Sequence, residues 1–133
     1  MKALYALRVV AGLHAVAICL QPILAGIYLN GTSPAMRVHE PLGLGLTFFG
    51  LFQLVVATIW WRSGGRLLAP AVALLITVGE VLQVSMGYSR QLAIHIPLGI
   101  ALVATSIALA CWASRQRPAT RPKNRRKEPA VTA

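Results

Sequence analysis

Four long apolar stretches dominate the chain, and the polar residues fall into the short connections between them. The stretches run roughly over residues 4–29, 41–61, 67–88 and 92–112. Each is close to the ~20 apolar residues that carry a helix across a bilayer core. None shows the two-residue alternation of a half-buried strand, so all four are expected to be helices. Between them lie Asn30-Gly31-Thr32-Ser33-Pro34, Arg62-Ser63-Gly64-Gly65-Arg66 and Tyr88-Ser89-Arg90-Gln91, all rich in turn-forming or charged residues. The first stretch begins with Lys2 and Arg8, as a signal peptide can. It is too long, however, has no small-x-small cleavage site, and carries Gln21-Pro22 inside, so it is read as retained.

The expected architecture is an all-α, integral membrane four-helix bundle over residues 1–113. A disordered basic tail over 114–133 is expected to follow, since it has almost nothing apolar to bury. Composition agrees. Of the 133 residues, 56% are hydrophobic and mean hydropathy is +0.66, too high for a soluble domain of this length to hide four all-round apolar helices.

A five-residue phrase occurs twice, as His39-Glu40-Pro41-Leu42-Gly43 and as His95-Ile96-Pro97-Leu98-Gly99. Each copy opens an apolar stretch, and a Gln and a Gly precede it in the stretch before: Gln21 and Gly26, then Gln83 and Gly87. The bundle therefore reads as two similar helical hairpins, each delivering a histidine to the start of its second helix. Proline at a first helical turn costs no intrahelical bond, so Pro41 and Pro97 are expected to begin their helices.

The net charge of +10 does not point to nucleic acid. Seven of the 13 basic residues lie between Arg115 and Lys127, and the other six flank apolar stretches, as topology determinants do. With both termini and the 62–66 turn on one side, that side holds eleven basic residues against Arg37 and Arg90 on the other. Both termini are therefore expected in the cytoplasm of a bacterium, the chain being a multi-pass protein of its plasma membrane. The partners expected are the lipid bilayer, anionic lipid headgroups along the tail, and a redox partner or a second copy of the chain. Cys19 and Cys111 lie within the helices with no metal-ligand spacing and read as small apolar residues.

Polar side chains inside spans are costly and mark candidate sites. His14 and Gln21 share a face of the first helix; Glu80, Gln83 and Gly87 share a face of the third. His39 is followed on its own face by Gly43, Leu46, Gly50 and Gln53, and His95 by Gly99, Leu102, Ser106 and Leu109. Glycine one turn inside each histidine would leave clearance for a flat group on the imidazole, or allow close helix packing. Gln21 and Gln83 are candidates to hold the imidazoles or to bridge helices. Zinc would need more ligands than appear. One haem b needs only two axial imidazoles, His39 and His95, with cations for its propionates, for which Arg37 and Arg90 stand at the right end. His14 is read as an interior hydrogen-bonded histidine packing near Glu80 or near the lower edge of a cofactor. The competing readings are a four-span scaffold or accessory subunit, and a small proton-coupled transporter using Glu80.

The repeated Gln-x3–4-Gly, connection, His-x-Pro-Leu-Gly pattern resembles one four-helix half of the haem A synthase family. It is similar in plan to other four-helix membrane b-type cytochromes. That resemblance implies axial histidines on the second and fourth helices, at His39 and His95. Paired loop cysteines are missing, and Glu40 follows His39 where the family has a carboxylate one turn before it. What the resemblance implies is therefore haem binding with electron transfer or haem handling, rather than turnover.

Overall fold

The computed structural model describes residues 1–117, and within them the chain is helical with short turns. Helix α1 spans Lys2–Leu29, α2 Met36–Arg62, α3 Leu68–Tyr88 and α4 Leu92–Arg115, with a single 3-10 turn at Ser33–Ala35 before α2. All four helices are long and apolar enough to cross a membrane. They run alternately up and down, and each packs on two neighbours: α1 on α2 and α4, α3 on α2 and α4. The pairs α1/α3 and α2/α4 thus face each other across the bundle axis. The first and last helices meet at the closing seam, and two ends are distinguished: a tail end with the N-terminus, the 62–67 turn and the end of α4, and a histidine end with His39 and His95.

The expected boundaries shift in two places. α2 begins at Met36, five residues before Pro41, so His39 is the fourth helical residue and Pro41 the sixth. The first four N–H groups of a helix need no partner, but the sixth does. Pro41 therefore leaves the Arg37 carbonyl without its usual donor, and the expectation that this proline costs nothing is corrected. α4 repeats the register: it begins at Leu92, with His95 fourth and Pro97 sixth. α4 also continues past Trp112 to Arg115, into the first residues assigned to the tail. The reason is a cross-chain cap. Arg8 of α1 donates from Nε to the Ala113 carbonyl at 3.2 Å and from its terminal nitrogen to the Gln116 carbonyl. A cation on the last carbonyls of a helix satisfies its orphan acceptors and suits its dipole. The rest of the expected basic tail, residues 118–133, lies outside the described residues.

Small side chains let the helices approach. Ala57, Ala69, Ala73 and Ala113 are fully buried, and Leu102 of α4 lies on Gly79 of α3. Close approach through small residues is the usual packing device where lipid outside is as apolar as the core. Leu4, Leu7, Ile18, Leu46, Ile76 and Leu109 fill the space between. At the tail end Trp60 and Trp112 meet edge to face, with ring centroids 5.7 Å apart. Trp60 covers Gly65, whose missing side chain makes room for the indole, while Gly64 takes the left-handed conformation (φ 93°) that closes the turn. Outward-facing residues such as Leu13, Phe48, Leu75 and Ile100 leave a wide apolar belt exposed. The threonine hydroxyls in the spans are hidden by bonds to the carbonyl one turn back, as at Thr58 and Thr77.

Candidate functional site

The polar side chains of the spans collect at two levels. The first lies at the histidine end. His39 and His95 occupy the same position in α2 and α4, so the diagonal places their rings opposite each other, with centroids 6.3 Å apart and planes inclined by 59°. Both rings are half-buried. Each is held through Nδ1 by the main chain of the preceding helix. His39 Nδ1–H donates to the Gln21 carbonyl at 3.2 Å, and His95 Nδ1–H to the Gln83 carbonyl at 2.9 Å. A carbonyl can only accept, so Nδ1 carries the proton and Nε2 of each neutral ring keeps its lone pair. This arrangement, with one ring nitrogen tied to a carbonyl and the other left to a ligand, is how metal-bound imidazoles are oriented.

The two glutamines are not equivalent. The Gln21 amide donates from Nε2 to the His39 carbonyl at 3.2 Å, which makes a reciprocal clasp between α1 and α2. Gln83 makes no such return bond and rests on Gly99 instead. The clearance expected over Gly43 and Gly99 is therefore filled in this structure. A methyl added at Gly43 would come 3.3 Å from Gln21 Nε2, and one at Gly99 would come 2.8 Å from Gln83 Nε2. Both glycines seat a glutamine amide, and both amide oxygens are buried without a partner among the described residues. The paired upstream glycines differ as well. Gly87 lies against the His95 ring, where a methyl would be 3.0 Å from Cε1, whereas Gly26 faces open space.

Arg37 and Arg90 are exposed at this same end, and Arg90 takes a left-handed conformation (φ 56°) that turns the chain into α4. Tyr88 donates to Glu40 Oε1 at 2.6 Å on the exposed rim, linking the end of α3 to the start of α2.

The second level lies deeper and draws one polar side chain from every helix: His14, Gln53, Glu80 and Ser106, each at most 3% exposed. His14 Nδ1–H donates to Gln53 Oε1 at 2.9 Å, and its Nε2 meets Glu80 Oε1 at 2.7 Å. Phe49 stands edge-on to the imidazole at 5.4 Å. The expected neighbourhood of His14 and Glu80 is present and is a direct contact. The roles of Gln53 and Ser106 were not anticipated, although each lies on the face of its helix that the upper histidine marks.

Among the described residues no three His, Cys, Asp or Glu side chains come together as a metal-ligand group. Two imidazoles alone leave a bare zinc ion short of its usual four ligands. No protein family, curated protein or solved structure matches this chain, so the resemblance to haem A synthases rests only on helix count, the two histidines and a few Gln and Gly.

Proposed function

We propose that this chain is a membrane haem protein holding one haem b between His39 and His95, in electron transfer or haem handling. The observation that carries the reading is the spacing of the two rings. An imidazole nitrogen binds a first-row metal at about 2.0–2.1 Å and lies roughly 1.1 Å from its ring centre, so two imidazoles on opposite sides of one metal have centroids about 6 Å apart. His39 and His95 stand at 6.3 Å before anything is bound.

Haem, when bound, supplies a one-electron couple and four of the six ligands to its iron. The chain supplies the other two and their orientation. The Gln21 and Gln83 carbonyls fix which ring nitrogen is free. Gly43 and Gly99 mean that a flat ring entering at this level displaces two flexible amide ends rather than backbone. Arg37 and Arg90 offer cations at the rim for propionates. Six-coordinate iron leaves no open position for substrate, which favours a carrier over a turnover enzyme. The Lys and Arg distribution supports a bacterial plasma-membrane location with both termini cytoplasmic, which would put the haem near the outer face.

The test is the optical spectrum of detergent-purified protein, oxidised and then dithionite-reduced, with and without added hemin. The expected result is a low-spin six-coordinate spectrum that His39→Ala and His95→Ala each abolish and His14→Ala leaves intact. Protein that stays colourless with added hemin would favour a scaffold or accessory subunit instead, and a six-coordinate spectrum in either rim mutant would overturn the ligand assignment.

A further inference from the structure

We propose that His14, Gln53, Glu80 and Ser106 form a buried proton-loading site, completed by one water molecule, that exchanges a single proton with solution. The inference is independent of what His39 and His95 hold. It begins from hydrogen-bond accounting. Gln53 Oε1 can only accept, so His14 Nδ1 carries a proton. The bond between His14 Nε2 and Glu80 Oε1 then contains one more, either on the imidazole beside a carboxylate or on the acid beside a neutral imidazole. Both arrangements are neutral overall, so the resting pair is tolerable in an apolar interior.

What remains is unusual for so buried a place. Gln53 Nε2, Glu80 Oε2 and Ser106 Oγ have no partner among the described residues. Buried polar groups are normally satisfied, and three orphans at one level call for a partner. One is a donor, one an acceptor and one a hydroxyl that can be either, which is the complement of a water molecule rather than of a metal cation. Their placement agrees. Gln53 and Glu80 are joined through His14, and Ser106 projects from α4 one turn beyond Leu102, which lies on Gly79 beside Glu80. Glu80 Oε2 is drawn into the notch left by Gly50, with Thr77 alongside.

Proton uptake balances simply. A hydronium ion delivers its proton to Glu80 Oε2, an O–H bond forms there, a water molecule is released, and the pair becomes a carboxylic acid beside an imidazolium. The reverse step returns the proton to water. The groups beside the pair are Gln53 and Phe49 from α2 and Thr77 from α3, and the buried polar residue of α4 is Ser106; none of them is charged. On α1 itself the titratable residues on either side of His14 are Arg8, engaged with α4, and half-buried Cys19.

The chain allows a clean test, because its three acidic side chains are all glutamates: Glu40, Glu80 and Glu128. A Glu40→Gln/Glu128→Gln variant keeps Glu80 as the sole side-chain carboxyl, and glutamate labelled with carbon-13 identifies its infrared bands without touching the site. Difference spectra of this protein in detergent, taken from about pH 5 to 8, where an imidazole-coupled site exchanges protons, read the reaction. The expected result is a labelled carboxylic C=O band that changes on acidification, growing as the carboxylate bands fall if the resting proton lies on the imidazole and shifting in frequency if it already lies on the acid, together with a water O–H band that moves in oxygen-18 water. Ser106→Ala is expected to remove the water band and displace the titration. A Glu80 carboxyl band constant in both intensity and frequency across the range would overturn the proposal, as would a titration unchanged in Ser106→Ala with no exchangeable water band. Colourless protein is expected to titrate as haem-loaded protein does.

Discussion

The molecule holds histidine in two different ways, and the contrast separates what is built for a ligand from what is built into the bundle. At the rim, His39 and His95 are half-buried, each tied by one bond to a main-chain carbonyl, with the other ring nitrogen unspent. In the interior, His14 is fully buried and both its nitrogens are engaged by side chains from two other helices. A main-chain carbonyl cannot relax away or change its proton, so the rim rings are oriented but left with capacity. Side-chain partners can change protonation, and here they use all the capacity the ring has. Substitutions should therefore be cheap for stability and costly for binding at the rim, and the reverse inside.

The largest effect is expected from breaking the interior pair. His14→Leu leaves Glu80 without its partner and should cost about 3–5 kcal/mol, while His14→Leu with Glu80→Leu should recover much of that loss, because a buried ion pair is often replaceable by apolar residues but not by half of itself. Unfolding in mixed detergent micelles measures both. His39→Leu, which gives up one partly exposed hydrogen bond, should cost about 1 kcal/mol. Equal losses at residues 14 and 39 would erase the distinction.

A smaller effect is expected from the glycines. Gly50→Ala drives a methyl into the Glu80 carboxylate and should cost about 1–3 kcal/mol, as overpacking does. Gly43→Ala meets only the end of the Gln21 amide, at 3.3 Å, and should cost well under 1 kcal/mol while weakening hemin uptake. The same unfolding assay with a hemin titration reads the split. The smallest effect belongs to Tyr88→Phe. Its bond to Glu40 is exposed to solvent, so its loss should change stability least of the set, with the rim histidines unmoved.

The helices were legible because four apolar stretches of spanning length admit one interpretation. The equal placement of His39 and His95 was legible because the phrase around them repeats. The start of α2 was not, since Pro41 looked like a beginning; the helix gives up one bond at the Arg37 carbonyl rather than starting later. The partners of His14 were only half legible. When both the lipid and the core are apolar, hydrophobic periodicity no longer marks the inner face, and only polar residues reveal how each helix is rotated. Glu80 stood out as a lone acid in a span, but Gln53 was one polar residue four turns from His39. Its meeting with His14 depends on the rotations of two helices at once. Gly43 and Gly99 were read as vacant beside the rings, whereas the glutamine amides reach them from neighbouring helices, which spacing along one helix does not show.

The cap that Arg8 places on the end of α4 spans 105 residues of chain, and it bears on how the protein is made. Ribosomes deliver α1 before α4, so the guanidinium is made long before its acceptors exist. Until then the inner face of α1, with Leu7 and Ala11 fully or nearly fully buried in the finished bundle, lies open on the side that α4 will cover. The seam between α1 and α4 can close only once α4 has been made, and a nascent chain halted after α3 still lacks one wall of both polar levels.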